Sequence, residues 1–266
     1  MNYLFSPDNW EWIVTGNNVR FILQGFAVNL EIAIIAMVLS LIAGLALALA
    51  RLARWKPLSV AAGTWVDIWR NLPLIFIILY LALSIPGSWR DAWEDVIPSW
   101  FPEGLQSGRV VAAIIGLVLY NSAVLAEIMR AGILSLDRGQ NEAARAVGMS
   151  YAQSMRMVVL PQGLRRMVPA TVSQLITLNK DTTLVSIVAI QEVMRHGRIV
   201  TSANFFGGVQ APVLQVFLFI GLLFVIVNLA LSRLSRRLEV RERKRTAVGE
   251  VKGVRGLEEQ AAAGLG

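Results

Sequence analysis

The sequence predicts an all-α integral membrane protein with about five transmembrane helices, an external N-terminus and a cytoplasmic C-terminus. Charged residues make up only 16% of the 266 residues, whereas a soluble domain has about a quarter. Hydrophobic residues make up 55%. They gather in runs of about twenty residues, the length that crosses a lipid bilayer as a helix.

Five such runs are predicted as membrane spans, and the basic residues orient them. The runs cover about 24–50, 60–85, 109–129, 168–190 and 212–232. Most of the 25 Lys and Arg residues lie after the first, third and fifth runs. Because basic residues are retained on the cytoplasmic side, these segments are predicted to be cytoplasmic. The net charge of +7 is therefore explained by membrane orientation, and no nucleic-acid partner is expected.

The predicted domain organisation has three parts. Residues 1–20 form an external N-terminal segment, which has no basic n-region and does not resemble a cleaved signal peptide. Residues 21–238 form the transmembrane domain. Residues 239–266 form a basic tail that becomes rich in Gly and Ala, and we expect disorder past about 245.

Two further features of the sequence concern helix packing and the membrane surface. In the first span Ala36, Ser40, Gly44 and Ala48 recur every four residues, a stripe that lets another helix approach closely. The loop after the second span holds Trp89, Trp93, Trp100 and Phe101 among acidic residues. These aromatic residues fit an interfacial anchor or a landing surface for an external partner.

The segment 139–161 is charged and alanine-rich, unlike the apolar runs around it. Glu142 and Arg145 are three apart and could pair on a helix, and Gly148 then turns the chain. Ser150 and Gln153 form an S-x-x-Q capping box for a second helix. Pro161 ends that helix or starts the next element. Such a helix pair fits a groove on a partner or lies on the lipid surface.

This segment resembles the EAA loop of the permease subunits of bacterial ABC importers. The matching residues are Glu142, Ala143, Ala144, Gly148, Val158, Leu160 and Pro161, where Val158 replaces the usual Ile. The stretches 120–150 and 178–188 resemble the subgroup that imports polar amino acids. So does 69–75, although Asn71 and Leu72 depart from its pattern. The resemblance covers about 20–235.

The resemblance implies a function and a set of partners. The 139–161 segment, here called the coupling loop, would dock on a dimer of ATP-binding subunits. A second permease subunit, identical or related, and an external solute-binding protein would complete an importer in the inner membrane. The substrate would be a polar amino acid of the glutamate, glutamine, arginine or histidine class, moved by alternating access. The chain would bind no cofactor, and ATP and Mg²⁺ would bind to the partner.

Polar residues inside the predicted spans are candidates for the substrate path, because charges in a bilayer are costly and usually face a partner or a water-filled cavity. They are Arg70, Gln174, Lys180, Asp181, Thr182 and Thr183. The same groups could instead hold the helices together, and both interpretations stay open. Glu31 is a weaker candidate near the outer interface.

Other functions have less support in the sequence. There is no cysteine and only one histidine, so no metal site is expected; His196 is expected to be a solvated loop residue, or else a pH sensor. There is no phosphate-binding P-loop, no nucleophile elbow and no predicted catalytic residue. A secondary transporter could use the intramembrane charges, but it would leave the coupling loop without a role.

Overall fold

The computed structural model describes residues 6–101, 103–202 and 211–263, and their side chains except at 103–104, 138 and 242–263. The regular elements in these residues are all helical, which confirms the predicted all-α class. The α-helices among them are α1 (Asn18–Arg51), α2 (Lys56–Asn71), α3 (Leu74–Ser84), α4 (Gly87–Val96), α5 (Glu103–Gln106), α6 (Arg109–Leu134), α7 (Arg138–Ala146), α8 (Tyr151–Ser154), α9 (Leu160–Asp181), α10 (Val193–Thr201) and α11 (Val213–Ala263).

Three shorter elements connect or precede these helices. A 3₁₀ helix covers Pro7–Ile13, a π-helical turn covers Met155–Val159, and a second 3₁₀ helix covers Thr182–Val188. Ala189 follows the second 3₁₀ helix with a φ of 62° and so turns the chain before α10.

Three helices in the described residues are long and apolar enough to cross a membrane. They span Asn18–Arg51, Gly108–Leu134 and Val213–Arg241. The pair Lys56–Asn71 and Leu74–Ser84 makes a fourth candidate if it counts as one span, although its two helices are bent by 97°. The bend falls at Pro73, which forces the preceding Leu72 into an extended conformation with ψ of 135°.

The predicted span over 168–190 is not among these candidates. The stretch is divided between the end of α9 and the 3₁₀ helix, and its polar residues keep it below the hydropathy of the other spans. The described residues thus hold three or four candidate spans instead of the predicted five, and the orientation of the termini stays a prediction. At the other end of the chain, α11 continues as a helix to Ala263, whereas we expected disorder past about 245.

The described chain divides into two compact units. The first lies within Met1–Arg130 and Gln174–Leu229, and the second within Ala131–Ser173 and Ala230–Gly266. The predicted boundaries at 20 and 238 remain predictions.

The first unit is built around α1. Its stripe of small residues is fully buried, and a Cβ on Gly44 would lie 3.0 Å from the Leu125 Cβ and 3.0 Å from the Ser122 carbonyl oxygen of α6. The predicted close helix approach is therefore confirmed, with α6 as the partner. At the other end of α1, Phe26 packs edge-to-face on Phe224 of α11, with ring centroids 5.0 Å apart.

Candidate functional site

The coupling loop in the second unit is two helices joined by a glycine turn, as predicted. α7 begins after Asp137, whose Oδ1 accepts a hydrogen bond from the Gly139 N–H at 2.8 Å. At its end the Gly148 N–H donates to the Arg145 carbonyl at 3.0 Å, and the Met149 N–H to the Ala144 carbonyl at 3.1 Å. These two bonds are a Schellman motif. It requires the left-handed backbone that Gly148 adopts, with a φ of 85°.

The second helix of the loop starts with the predicted capping box. The Ser150 hydroxyl accepts from the Gln153 N–H at 3.3 Å, and the Gln153 Oε1 accepts from the Ser150 N–H at 2.8 Å. α8 then widens into the π-helical turn, and α9 starts at Leu160. Pro161 thus lies at the start of the next element. Because it lacks an N–H and crowds the carbonyl four residues earlier, a widened turn directly before it accommodates the ring.

The loop has a buried side and an exposed side. Ala144 is buried inside the second unit, and Ser154 donates a hydrogen bond to the Asn141 side chain at 2.7 Å. The exposed side carries Glu142, Ala143, Arg145, Ala146, Val147 and Met157. No ion pair joins Glu142 and Arg145 in the described part of the chain. The exposed side of the loop therefore includes the apolar Ala143 and Val147 but not Ala144.

The substrate-path candidates lie in the first unit, and the structure divides them by their contacts. Gln174 donates to the Asn121 side chain at 2.8 Å. Thr182 is buried and donates to the Asn179 carbonyl at 2.7 Å. The Thr183 hydroxyl donates to the Lys180 carbonyl at 2.8 Å. These three side chains therefore have structural partners within the chain.

The three charged candidates for the substrate path are exposed or half-buried. Arg70 is exposed in the last turn of α2, Lys180 is exposed at the end of α9, and Asp181 is half-buried beside it. No ion pair within 4.0 Å holds any of the three in the described residues.

A buried polar cluster near these candidates was missed by the sequence analysis. Asn29 of α1 donates to the Thr182 hydroxyl at 3.0 Å and to the Glu192 Oε2 at 3.1 Å. The side-chain oxygen Oδ1 of Asn29 accepts from the Val193 N–H at 3.0 Å. Glu192 also caps α10 by accepting from the Arg195 N–H at 2.8 Å. We call Asn29, Thr182 and Glu192 the polar clamp, because they join α1 to the 3₁₀ helix and to α10.

An ion cluster joins the ends of three helices and was also missed. The Glu127 carboxylate of α6 pairs with Arg51 at the end of α1 and with Arg130 one turn later at 2.9 Å. Arg51 is also 3.7 Å from Asp67 of α2. The three-residue spacing of Glu127 and Arg130 was visible in the sequence, but the pairing with Arg51 needs the folded chain.

His196 is not the solvated residue that we expected. It is buried, its ring stacks on Phe21 with centroids 3.9 Å apart, and its Nδ1 lies 2.6 Å from the Phe21 carbonyl oxygen. Since a carbonyl oxygen only accepts, Nδ1 carries the proton. Burial lowers the pKa of His196 below its ordinary value, and the contact with the Phe21 carbonyl opposes this shift. Glu31 is half-buried in α1.

Comparison with known proteins gives three kinds of match. The family model described as "Binding-protein-dependent transport system inner membrane component" matches residues 36–243. The "Probable glutamine ABC transporter permease protein GlnP" of Bacillus subtilis is 37% identical over 225 residues, which is 85% of this chain and 95% of the relative. The "Glutamate/aspartate import permease protein GltK" of Escherichia coli is 30% identical over 225 residues, again 85% and 95%.

A solved structure described as an amino acid ABC transporter with histidines has the same fold. Its TM-score is 0.68 at 27% sequence identity, and the match covers 84% of this chain and 94% of that chain. The all-helical architecture described above is thus shared over nearly the whole of the solved chain.

Proposed function

The chain belongs to the family of binding-protein-dependent transport system inner membrane components, and from that premise we propose that it imports a polar amino acid. It is a membrane permease subunit of an ABC importer and not itself the ATPase. The proposed substrate class is that of glutamate, glutamine, arginine and histidine. The names of the two relatives, for glutamine and for glutamate and aspartate, support this class.

The observation that carries the proposal is the exposed side of the coupling loop. Val147 is 76% exposed and Met157 is 66% exposed, although both are apolar. The small Ala143 and Ala146 of α7 are also exposed. An exposed apolar surface on a short helix fits a groove on a partner protein. We assign that groove to a dimer of ATP-binding subunits, which would bind the ATP and Mg²⁺.

The proposed mechanism is alternating access by two permease subunits, identical or related. ATP binding closes the ATPase dimer and draws the two coupling loops together, so that the spans tilt and open the path to the external solute-binding protein. Hydrolysis returns the inward-facing state. Lys180 and Asp181 are proposed to meet the carboxylate and the ammonium group of the substrate, because neither forms an ion pair within 4.0 Å in the described chain.

Uptake of labelled amino acids into proteoliposomes tests this proposal. The vesicles would contain this chain, its ATP-binding partner and candidate solute-binding proteins, with ATP inside. We expect uptake that requires ATP and is lost in Glu142→Lys, while the matched Glu11→Lys, also exposed, transports normally. Uptake that ignores ATP and follows an imposed proton or sodium gradient would instead indicate a secondary transporter.

A second set of variants tests the substrate path. Lys180→Met and Asp181→Asn are expected to raise the KM for uptake, whereas Arg20→Met and Asp8→Asn, exposed near the N-terminus, serve as charge-matched controls. If the Lys180 and Asp181 variants assemble and transport at the normal rate and KM, these residues do not contact substrate.

A further inference from the structure

The segment between α3 and α6 connects two candidate membrane elements. The apolar α3 ends at Ser84 and α4 begins at Gly87. The next candidate span starts at Gly108. The residues 85–107 are therefore flanked on both sides by candidate membrane helices.

α4 has an apolar face and a polar face. At 100° per residue, Trp89, Trp93 and Val96 fall on one side of the helix, and Arg90, Asp91, Glu94 and Asp95 fall on the other. Trp89 is 71% exposed and Val96 is 78% exposed. Two large apolar side chains on this face therefore have most of their surface uncovered by the rest of the described chain.

Contacts with the start of α6 fix the position of α4. The Gly108 N–H donates to the Glu94 Oε1 at 2.9 Å. A Cβ on Gly108 would lie 2.5 Å from the Arg90 carbonyl oxygen, so the backbones of the two segments are in direct contact. Trp93 donates from its Nε1 to the Leu105 carbonyl at 3.2 Å. α4 is thus held beside the residue at which this candidate span begins, and a helix that crosses the bilayer enters it at such an end.

We propose that α4 is an interfacial helix whose Trp89 and Val96 face, together with Trp100, binds the headgroup region of the phospholipid bilayer. Tryptophan is enriched at this depth because its ring is apolar and its N–H is polar. The polar face carries three carboxylates and one guanidinium, so it has no attraction for anionic lipids. Binding therefore depends on the apolar side chains and not on lipid charge.

The absence of cysteine makes a spin-label test direct. Val96→Cys and Asp95→Cys place a single label on the two faces of α4, one residue apart, in the complete transporter reconstituted in phosphatidylcholine nanodiscs. Power saturation then compares collisions with oxygen, which partitions into lipid, and with a water-soluble nickel chelate. We expect the ratio of oxygen collisions to nickel collisions to be higher for the label at 96 than for the label at 95.

Two outcomes would overturn the proposal. Equal access of nickel to both labels would place the face in water. Shielding of the label at 96 from both reagents would mean that a protein partner covers it, either a second subunit or an external protein.

A second measurement uses the native tryptophans and needs no label. Brominated phosphatidylcholine is expected to quench part of the tryptophan fluorescence, and Trp89→Phe and Trp100→Phe are each expected to remove part of the quenched signal. Trp12→Phe, which is 1% exposed in the core of the first unit, is the control for loss of one tryptophan and should leave the lipid-quenched signal unchanged. A quenched signal unchanged in both variants, or one that appears only with anionic lipid, would contradict the proposal.

Discussion

Asn29 and Glu192 are 163 positions apart in the sequence and are joined by a hydrogen bond of 3.1 Å between buried side chains. The same amide binds the Thr182 hydroxyl and the Val193 N–H. One side chain on α1 therefore satisfies three groups on the segment that follows α9. This segment begins beside Lys180 and Asp181, so the polar clamp positions the proposed substrate path.

Asn29→Ala is expected to destabilise the protein strongly. It leaves the Glu192 carboxylate and the Val193 N–H buried without this partner, at a cost of about 3 kcal/mol of unfolding free energy. The melting temperature of the purified complex in detergent measures the effect. Asn17→Ala, an exposed position just before α1, is the control, and equal melting temperatures of the two variants would show that the clamp does not contribute to stability.

The stripe of small residues on α1 leads to a second prediction. Gly44→Leu would place its Cβ 3.0 Å from the Leu125 Cβ and the Ser122 carbonyl oxygen, and the remaining side-chain atoms would force α1 and α6 apart. The expected loss is about 1–3 kcal/mol. Ala46→Leu adds a larger side chain on the exposed side of the same helix, and its melting temperature should stay close to that of the native chain. A drop of the same size in both variants would argue against close packing at Gly44.

The sequence predicted the features that depend on local spacing. The stripe from Ala36 to Ala48 identified a packing face, and the capping box at Ser150 and Gln153 was visible because its two partners are three residues apart. Gly148 was recognisable as a turn because glycine adopts a left-handed backbone conformation without a steric cost. Each of these requires only knowledge of helix geometry.

Other features could not be read from the sequence, because their partners come from distant segments. Glu192 is buried and is hydrogen-bonded to Asn29 of α1, which lies 163 positions earlier. His196 was expected in solvent, since nothing in its neighbourhood indicated that Phe21 would stack on it. The predicted span over 168–190 is not confirmed, because the stretch is divided between α9, which ends at Asp181, and the 3₁₀ helix that follows it.

The turn of the coupling loop gives a third prediction. Gly148 has a φ of 85° and open space around the position of its missing Cβ, so Gly148→Ala is a purely backbone substitution. Holding an alanine in this conformation costs about 1–2 kcal/mol, whereas asparagine tolerates it better. We expect faster amide hydrogen exchange in peptides covering 139–161 for Gly148→Ala than for Gly148→Asn. Equal exchange in the two variants would mean that the Schellman motif does not limit opening of the loop.

His196 gives a prediction for the pH dependence of stability. Because burial lowers the pKa of His196 in the folded chain, the unfolded chain binds more protons than the folded chain just below the ordinary histidine pKa of about 6.5. Stability therefore rises with pH in this window. The contribution of neutral His196 to the stability of the folded chain is fully present above about pH 6.5. It is lost as the pH falls towards and through the lowered pKa of His196.

The test compares melting temperatures of the native chain and of His196→Gln between about pH 8 and pH 5. Glutamine can still donate a hydrogen bond to the Phe21 carbonyl but does not titrate, so the variant should lose less stability on acidification. His196 is the single histidine of the chain, so the difference between the two curves reports this one imidazole. If the melting temperatures of the two proteins fall in parallel with pH, His196 keeps its ordinary pKa in the folded state. Its surroundings, including the contact with Phe21, would then be as favourable for the imidazolium as for the neutral ring.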